Sequence, residues 1–240
     1  MNYIKTDYTK DSDALPLYQR ETPEQIEYKQ NCFVILIKII CETIDFNSHM
    51  DIGCGCGHLV KAMRFCNKES YGADIGYMYN YGLFKDIKEY IHESSIFDIK
   101  ETDNKYNLVS AMELLEHLYS EPYKSKELDT AIDNLVCLTN NYLIITVPVL
   151  TPEYCTWLNW EGRDPKEWSR ILQIEEIPLN EDGTPNLGHV TLATEAWWRN
   201  KLSSHGLERM EKEENKINEM LSIKDKNLLV WWHIFLYKKS

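Results

Sequence analysis

The stretch Asp51-Ile52-Gly53-Cys54-Gly55-Cys56-Gly57-His58 constrains this chain more than any other. Three glycines at alternate positions let the backbone turn tightly and let its N–H groups approach a ligand closely. The loop follows a predicted strand, His49 to Ile52, and precedes a predicted helix, Leu59 to Phe65. A strand, a glycine loop and a helix open many nucleotide-type α/β units. The spacing narrows the choice. A dinucleotide loop has the form G-x-G-x-x-G and rests a pyrophosphate on the helix N-terminus. Counted from Gly53, its third glycine would fall at residue 58, which is His58. That disfavours a nicotinamide oxidoreductase.

The rest of the chain alternates in the same style. Thr22-Pro23-Glu24-Gln25 reads as a helix start, with the helix running to about Cys41. Further strands are predicted at Tyr71 to Ile75, Ser94 to Phe97, Asn107 to Met112, Tyr142 to Val147, Leu207 to Lys212 and Asn227 to Tyr237. Helices are predicted over Tyr81 to Tyr90, Leu128 to Leu138 and Glu195 to His205. Such alternation implies a parallel sheet. The segment from Leu150 to Leu187 breaks the pattern with three tryptophans, four prolines and no clean period. An insertion of that length is usually functional and reads as a cap over a site; a packed surface excursion is the plain alternative. The expected organisation is an N-terminal arm and helix over 1–47, then one domain over 48–240 with its cap at about 150–187.

Four further groups of residues carry chemistry. Asp74 ends the second strand, 17 residues after Gly57. An acid there can accept from both hydroxyls of a ribose, or cap a helix. Ser95-Ile96-Phe97-Asp98 offers an apolar face and an acid after the third strand. The fourth strand runs into Glu113-Leu114-Leu115-Glu116-His117. Late in the chain, Leu187-Gly188-His189-Val190-Thr191 precedes a helix.

In this order the groups resemble the class I S-adenosylmethionine-dependent methyltransferases, in particular small-molecule O- and N-methyltransferases of the ubiquinone-biosynthesis type. Asp51 with its alternating glycines looks like motif I of that family, D/E-x-G-x-G-x-G, and Glu113 to His117 looks like its E-x-x-E-H signature. The resemblance covers about residues 48 to 237. It implies a Rossmann-like, doubly wound, mostly parallel seven-stranded α/β sheet with S-adenosylmethionine as cofactor. Carried over position by position, it implies cofactor contacts from Asp51, Gly53, Gly55, Gly57, Asp74, Ile75, Phe97, Asp98 and Glu113, with Asp98 toward the adenine amine. Asn107 departs from the family, which usually has an acid after the aromatic residue; the loss is structural and should not touch chemistry.

Methyl transfer from a sulfonium needs positioning more than covalent machinery. A hydroxyl acceptor still has to lose its proton, and histidine suits that task at neutral pH. His189 and His117 are the candidate bases; each can equally be a packed, hydrogen-bonded residue. Trp160, Glu161, Arg163 and Asp164 in the cap are candidates for holding a sugar or a carboxylate. No cluster of Asp, Asn and His suggests a metal. The net charge of -12 repels polyphosphate, and no Lys/Arg block stands out, so nucleic acid is an unlikely partner. The place of a DNA base methyltransferase motif after the fourth strand holds Glu113-Leu114-Leu115-Glu116 instead. No apolar run reaches the ~18 residues of a membrane span. The seven cysteines show neither zinc nor disulfide spacing, which fits reduced thiols in the cytoplasm. The expected acceptor is a hydroxyl or amine of a small polar molecule or glycan precursor. The competing reading is a non-catalytic subunit that keeps the fold to bind or activate a partner protein.

Overall fold

A computed structural model describes residues 23–75, 85–100, 104–118, 126–151, 191–224 and 232–239. Helix α1 (Pro23–Cys41) leads into β1 (Ser48–Ile52), the glycine loop, α2 (His58–Phe65) and β2 (Glu69–Asp74). A 3₁₀ segment (Lys85–Tyr90) precedes β3 (Ile91–Glu93), and β4 (Tyr106–Met112) follows. Then come α3 (Glu127–Leu138), β5 (Thr139–Pro148), α4 (Glu195–Ser203), β6 (Leu207–Arg209), α5 (Glu211–Lys224) and β7 (Trp232–Lys239).

The strands form one seven-stranded sheet in the order β3-β2-β1-β4-β5-β7-β6. β1 to β5 are parallel, and β7 runs antiparallel between β5 and β6. Strands buried on both faces read as near-continuous apolar runs, and Leu108–Ala111 and Leu143–Val147 do so. One face packs on α1, α2 and α5 through Leu36, Ile37, Ile40, Leu59, Met63, Ile217 and Leu221. The other packs on α3 and α4 through Leu128, Ile132, Leu135, Trp198 and Leu202. The stripe in α3 (128, 131, 132, 135, 138) keeps the three- and four-residue spacing of one helix face. Trp198 is in the core and Trp197 packs against it edge-on, centroids 5.1 Å apart.

Strand order reverses between β1 and β4, and open α/β sheets bind their ligands outside the carboxyl ends at such a point. Asn107 has a structural role at the start of β4. Its Oδ1 accepts from the Ser48 N–H and hydroxyl, each at 3.2 Å, and stitches β4 to β1.

Two expectations need correction. The third strand is Ile91–Glu93, not Ser94 to Phe97. Ser95 instead caps a 3₁₀ turn, accepting from the Phe97 N–H, while Asp98 accepts from the Ser95 N–H. The apolar pair that looked like strand is a turn tucked under α3, where Asn134 donates to the Ile96 carbonyl. The strand at Leu207 stops at Arg209, and Glu211–Lys224 is helical. Its buried stripe holds only Glu214, Ile217 and Leu221, and a charged residue at the head of so thin a stripe hides the period. Among the described residues, no helix is long and apolar enough to cross a membrane. Residues 1–22 and nearly all of the 150–187 segment lie outside the described residues, as do Trp160, Glu161, Arg163 and Asp164.

Candidate active site

The glycine loop is held by the strand beside it. The N–H groups of Gly53 and Cys54 both donate to the Ala73 carbonyl, and Gly55 N–H donates to Asp74 Oδ2 at 2.6 Å. The loop needs glycine at two points for different reasons. At Gly57, φ is +84°, and a Cβ would lie 2.6 Å from the Ile91 side chain and 2.7 Å from Ile87. At Gly53, φ is +75°, and a Cβ would press on the Leu114 side chain at 3.0 Å. Leu114 belongs to the turn after β4, so the loop and the Glu113–His117 turn touch each other at the sheet's carboxyl rim.

Asp74 occupies the tip of β2, nearly buried. Its Oδ1 accepts from the Ile75 N–H at 2.7 Å and its Oδ2 from Gly55. Burial raises its carboxyl above the ordinary range, against the pull of those two N–H groups. Each oxygen has a second lone pair, so both can still accept from a ligand hydroxyl. Ile75 follows it, exposed. Asp51 is buried behind the loop and accepts from the Ser110 hydroxyl. Burial pushes its carboxyl up to about 7, opposed by that hydrogen bond and assisted by the charge of Asp74.

The third group is the turn after β4. Glu113 adopts φ +54°, unusual for a residue with a side chain, and its N–H donates to the Thr146 carbonyl on β5 at 3.0 Å. Such strain concentrates at functional positions. Its Oε1, and both oxygens of the fully buried Glu116, have no hydrogen-bond partner. Burial lifts Glu113 to about 7, opposed by the neighbouring polar side chains of Thr146 and Glu116. Burial, then the charge of Glu113, lifts Glu116 further. Two interacting carboxyls lose their protons in two separated steps, so this pair holds a proton at neutral pH. His117 follows, three-tenths exposed, with Nε2 4.0 Å from Glu116 Oε1. The chain returns to this turn at Thr191. Thr191 N–H donates to the Glu116 carbonyl at 2.9 Å, and its hydroxyl to the Leu118 carbonyl at 2.6 Å. His189 lies outside the described residues.

Near the β3 exit, a cavity of about 260 Å³ is lined by Met50, Ile52, Ala73, Ser94, Ser95 and Asp98, among others. Its apolar wall comes from the sheet. Phe97 packs, partly buried, against the core. Asp98 borders the cavity but already accepts from Ser95. Ser95 and the sheet residues were missed in the sequence because their place beside the cavity depends on the 3₁₀ turn.

A sheet of this order, with a glycine-rich loop after β1 and an acid at the tip of β2, is the Rossmann-like fold of the S-adenosylmethionine-dependent methyltransferases. The chain belongs to the methyltransferase domain family, whose sequence profile matches residues 25–208. It is therefore an S-adenosylmethionine-dependent enzyme of that class. No curated protein matches it in sequence. Among solved structures it is similar to magnesium protoporphyrin IX methyltransferase (ChlM) from Synechocystis PCC 6803 with bound S-adenosylhomocysteine. That match has a TM-score of 0.62 and 16% identity, covering 98% of this chain and 97% of that one. An S-adenosylmethionine-dependent methyltransferase from Clostridium acetobutylicum ATCC 824 is similar at TM-score 0.57 and 12% identity, covering 95% and 98%. The [4+2]-cyclase SpnF is similar at TM-score 0.50 and 14% identity, covering 85% and 79%. These likenesses concern the fold.

Proposed function

We propose that the chain methylates a hydroxyl or amine of a small polar molecule or glycan precursor, in the cytoplasm. The observation that carries this reading is the meeting of the Glu113–His117 turn with the glycine loop through Leu114 and Gly53. It joins the cofactor cradle to the rim where an acceptor would enter. The charge of -12 favours an acceptor other than nucleic acid, and the described cysteines are free, as in a reducing compartment.

The residues present fit the cofactor. The tight turn of Gly53, Gly55 and Gly57 would receive its methionine end, Asp74 has acceptor capacity for its ribose, and Glu113 offers an orphaned oxygen. Asp51 stands behind the loop as a buried acid, Ile75 borders the ribose position, and Asp98, Phe97 and the cavity beside them are assigned to the adenine side. Bound S-adenosylmethionine supplies a methyl group already activated on a sulfonium. The protein's share is to align the acceptor, exclude water and take a proton. His189 and His117 are the assigned bases, whose imidazoles would take up the proton the acceptor gives up.

The test is calorimetric titration with S-adenosylmethionine and S-adenosylhomocysteine on wild type and Asp74→Ala, followed by an acceptor screen that reads S-adenosylhomocysteine formation. Binding in the micromolar range that weakens at least tenfold in the variant, with turnover on a hydroxyl or amine acceptor, is expected. No binding by wild type, alone or with acceptors present, sinks the proposal.

A further inference from the structure

A line of buried polar side chains crosses three central strands just beneath the glycine loop. His49 and Asp51 project from the same face of β1, two residues apart. The register sets Ser70 of β2 beside His49, and Ser110 of β4 beside Asp51. All four are buried, at 0% exposed for His49 and Ser70, 1% for Ser110 and 2% for Asp51. His49 Nδ1 lies 2.8 Å from Ser70 Oγ, and Nε2 lies 2.8 Å from Ser110 Oγ. The Ser110 hydroxyl is 2.5 Å from Asp51 Oδ1. A neutral imidazole is what this site accepts, since burial alone drives His49 down to about 3.

Such a chain has two self-consistent arrangements. With Asp51 ionised, the Ser110 hydroxyl donates to the carboxylate, so Nε2–H donates to Ser110 Oγ and the Ser70 hydroxyl donates to Nδ1. With Asp51 protonated, its O–H donates to Ser110 Oγ and the Ser110 hydroxyl turns to Nε2. The imidazole proton then sits on Nδ1 and is donated to Ser70 Oγ. The two states differ by one proton, on Asp51; in the ionised state each hydroxyl and the imidazole N–H has an acceptor within the line, and in the protonated state the Ser70 hydroxyl alone has none there. An apolar residue at 49 would satisfy neither Ser70 nor Ser110.

We propose that His49 is a positioning residue which, through Ser110, stabilises both charge states of Asp51, so that binding of the cationic cofactor draws a proton out of the site. This rests on the assignment of Asp51 to the cofactor site. The other titratable groups facing Asp51 are Asp74 on β2 and Cys54 in the loop; both disfavour its ionisation when charged. On α2, which covers this face, Arg64 bonds the Ser70 carbonyl. A cation arriving at the loop therefore favours the ionised state, and affinity should rise about tenfold per pH unit below the midpoint, then level off.

The first arm needs no cofactor. In protein labelled with ¹⁵N-histidine, the His49 tautomer should switch from Nδ1–H to Nε2–H with a midpoint near pH 7. In Ser110→Ala the tautomer should no longer follow pH. Ser70→Ala does not touch Asp51, yet it should move the midpoint up, because only the ionised state loses a fully satisfied line, while the protonated state exchanges one orphaned donor for another. A single tautomer from pH 5 to 9 in the folded wild type overturns the relay. The second arm is calorimetry with S-adenosylmethionine at pH 6.5 and 8.5, in buffers of different ionisation enthalpy. Release of a large fraction of a proton is expected at pH 6.5 and almost none at 8.5. Binding without proton release at 6.5 overturns the coupling. A tautomer switch without any binding overturns the assignment of Asp51 to a cofactor site and leaves the relay standing.

Discussion

Two glutamates, Glu116 and Glu214, are both fully buried, and the protein treats them in opposite ways. Glu214, in α5, accepts from Arg199 and Arg209 at 2.8 Å each and from the Leu236 N–H of β7 at 3.0 Å. It ties α4, β6, α5 and β7 together at the edge of the sheet away from the glycine loop. Glu116, at the carboxyl rim, has no hydrogen-bond partner for either oxygen, has His117 Nε2 no nearer than 4.0 Å and sits against the Glu113 carboxyl. A buried charge is tolerated when paired; a buried carboxyl left unpaired takes up a proton. The first arrangement serves stability. The second keeps a titrating group at the sheet's carboxyl rim, where open α/β sheets bind their ligands.

The largest expected effect tests the paired side. Glu214→Ala should cost about 3–5 kcal/mol in chemical denaturation, because two guanidiniums lose their buried partner. A cost below 1 kcal/mol would erase the contrast. The next concerns pH. Glu113 and Asp51 have folded values raised to about 7. Their contribution to stability is therefore complete below the ordinary carboxylate range near 4 and is lost as pH rises through 7. Denaturation midpoints measured from pH 5 to 8 should fall with pH, and Glu113→Gln should flatten that fall; an unchanged slope would mean the turn is already ionised. Smaller again is Glu116→Gln. It replaces an acid that already holds its proton with a neutral group of the same shape, so stability at pH 7 should stay within about 1 kcal/mol. A loss as large as that of Glu214→Ala would show Glu116 to be a paired structural charge after all. The smallest is Lys201→Ala, which removes a pairing with Asp129 at 2.7 Å in a half-buried surface cluster shared with His205. It should cost about 0.2–1 kcal/mol, separating pairing alone from pairing with full burial.

Much of this was legible in the chain. The alternation of elements foretold the parallel sheet, and the glycine loop foretold a cradle between β1 and α2, since both are local consequences of backbone conformation. Asp74 was legible as the end of a predicted strand, because strand ends are also read from neighbouring residues. Other features were not. Ser94 to Phe97 has the composition of a strand, but the Ser95 cap folds it into a 3₁₀ turn. Glu214 stands in a run of charged residues, and nothing local distinguishes it from Glu211 or Glu213, which stay outside the core. His49 read only as the first residue of a strand; its partners come from strands 21 and 61 positions away.

The sequence by itself determined the class of fold and the glycine loop between β1 and α2, because turn geometry and apolar period are written in neighbouring residues. Which buried polar groups meet was decided by the tertiary structure alone. The register of β2, β1 and β4 aligns Ser70, His49, Ser110 and Asp51, and the packing of α4 and α5 brings two arginines onto one glutamate. Burial depends on what the rest of the chain lays over a residue, and a carboxyl's charge follows its burial and its partners.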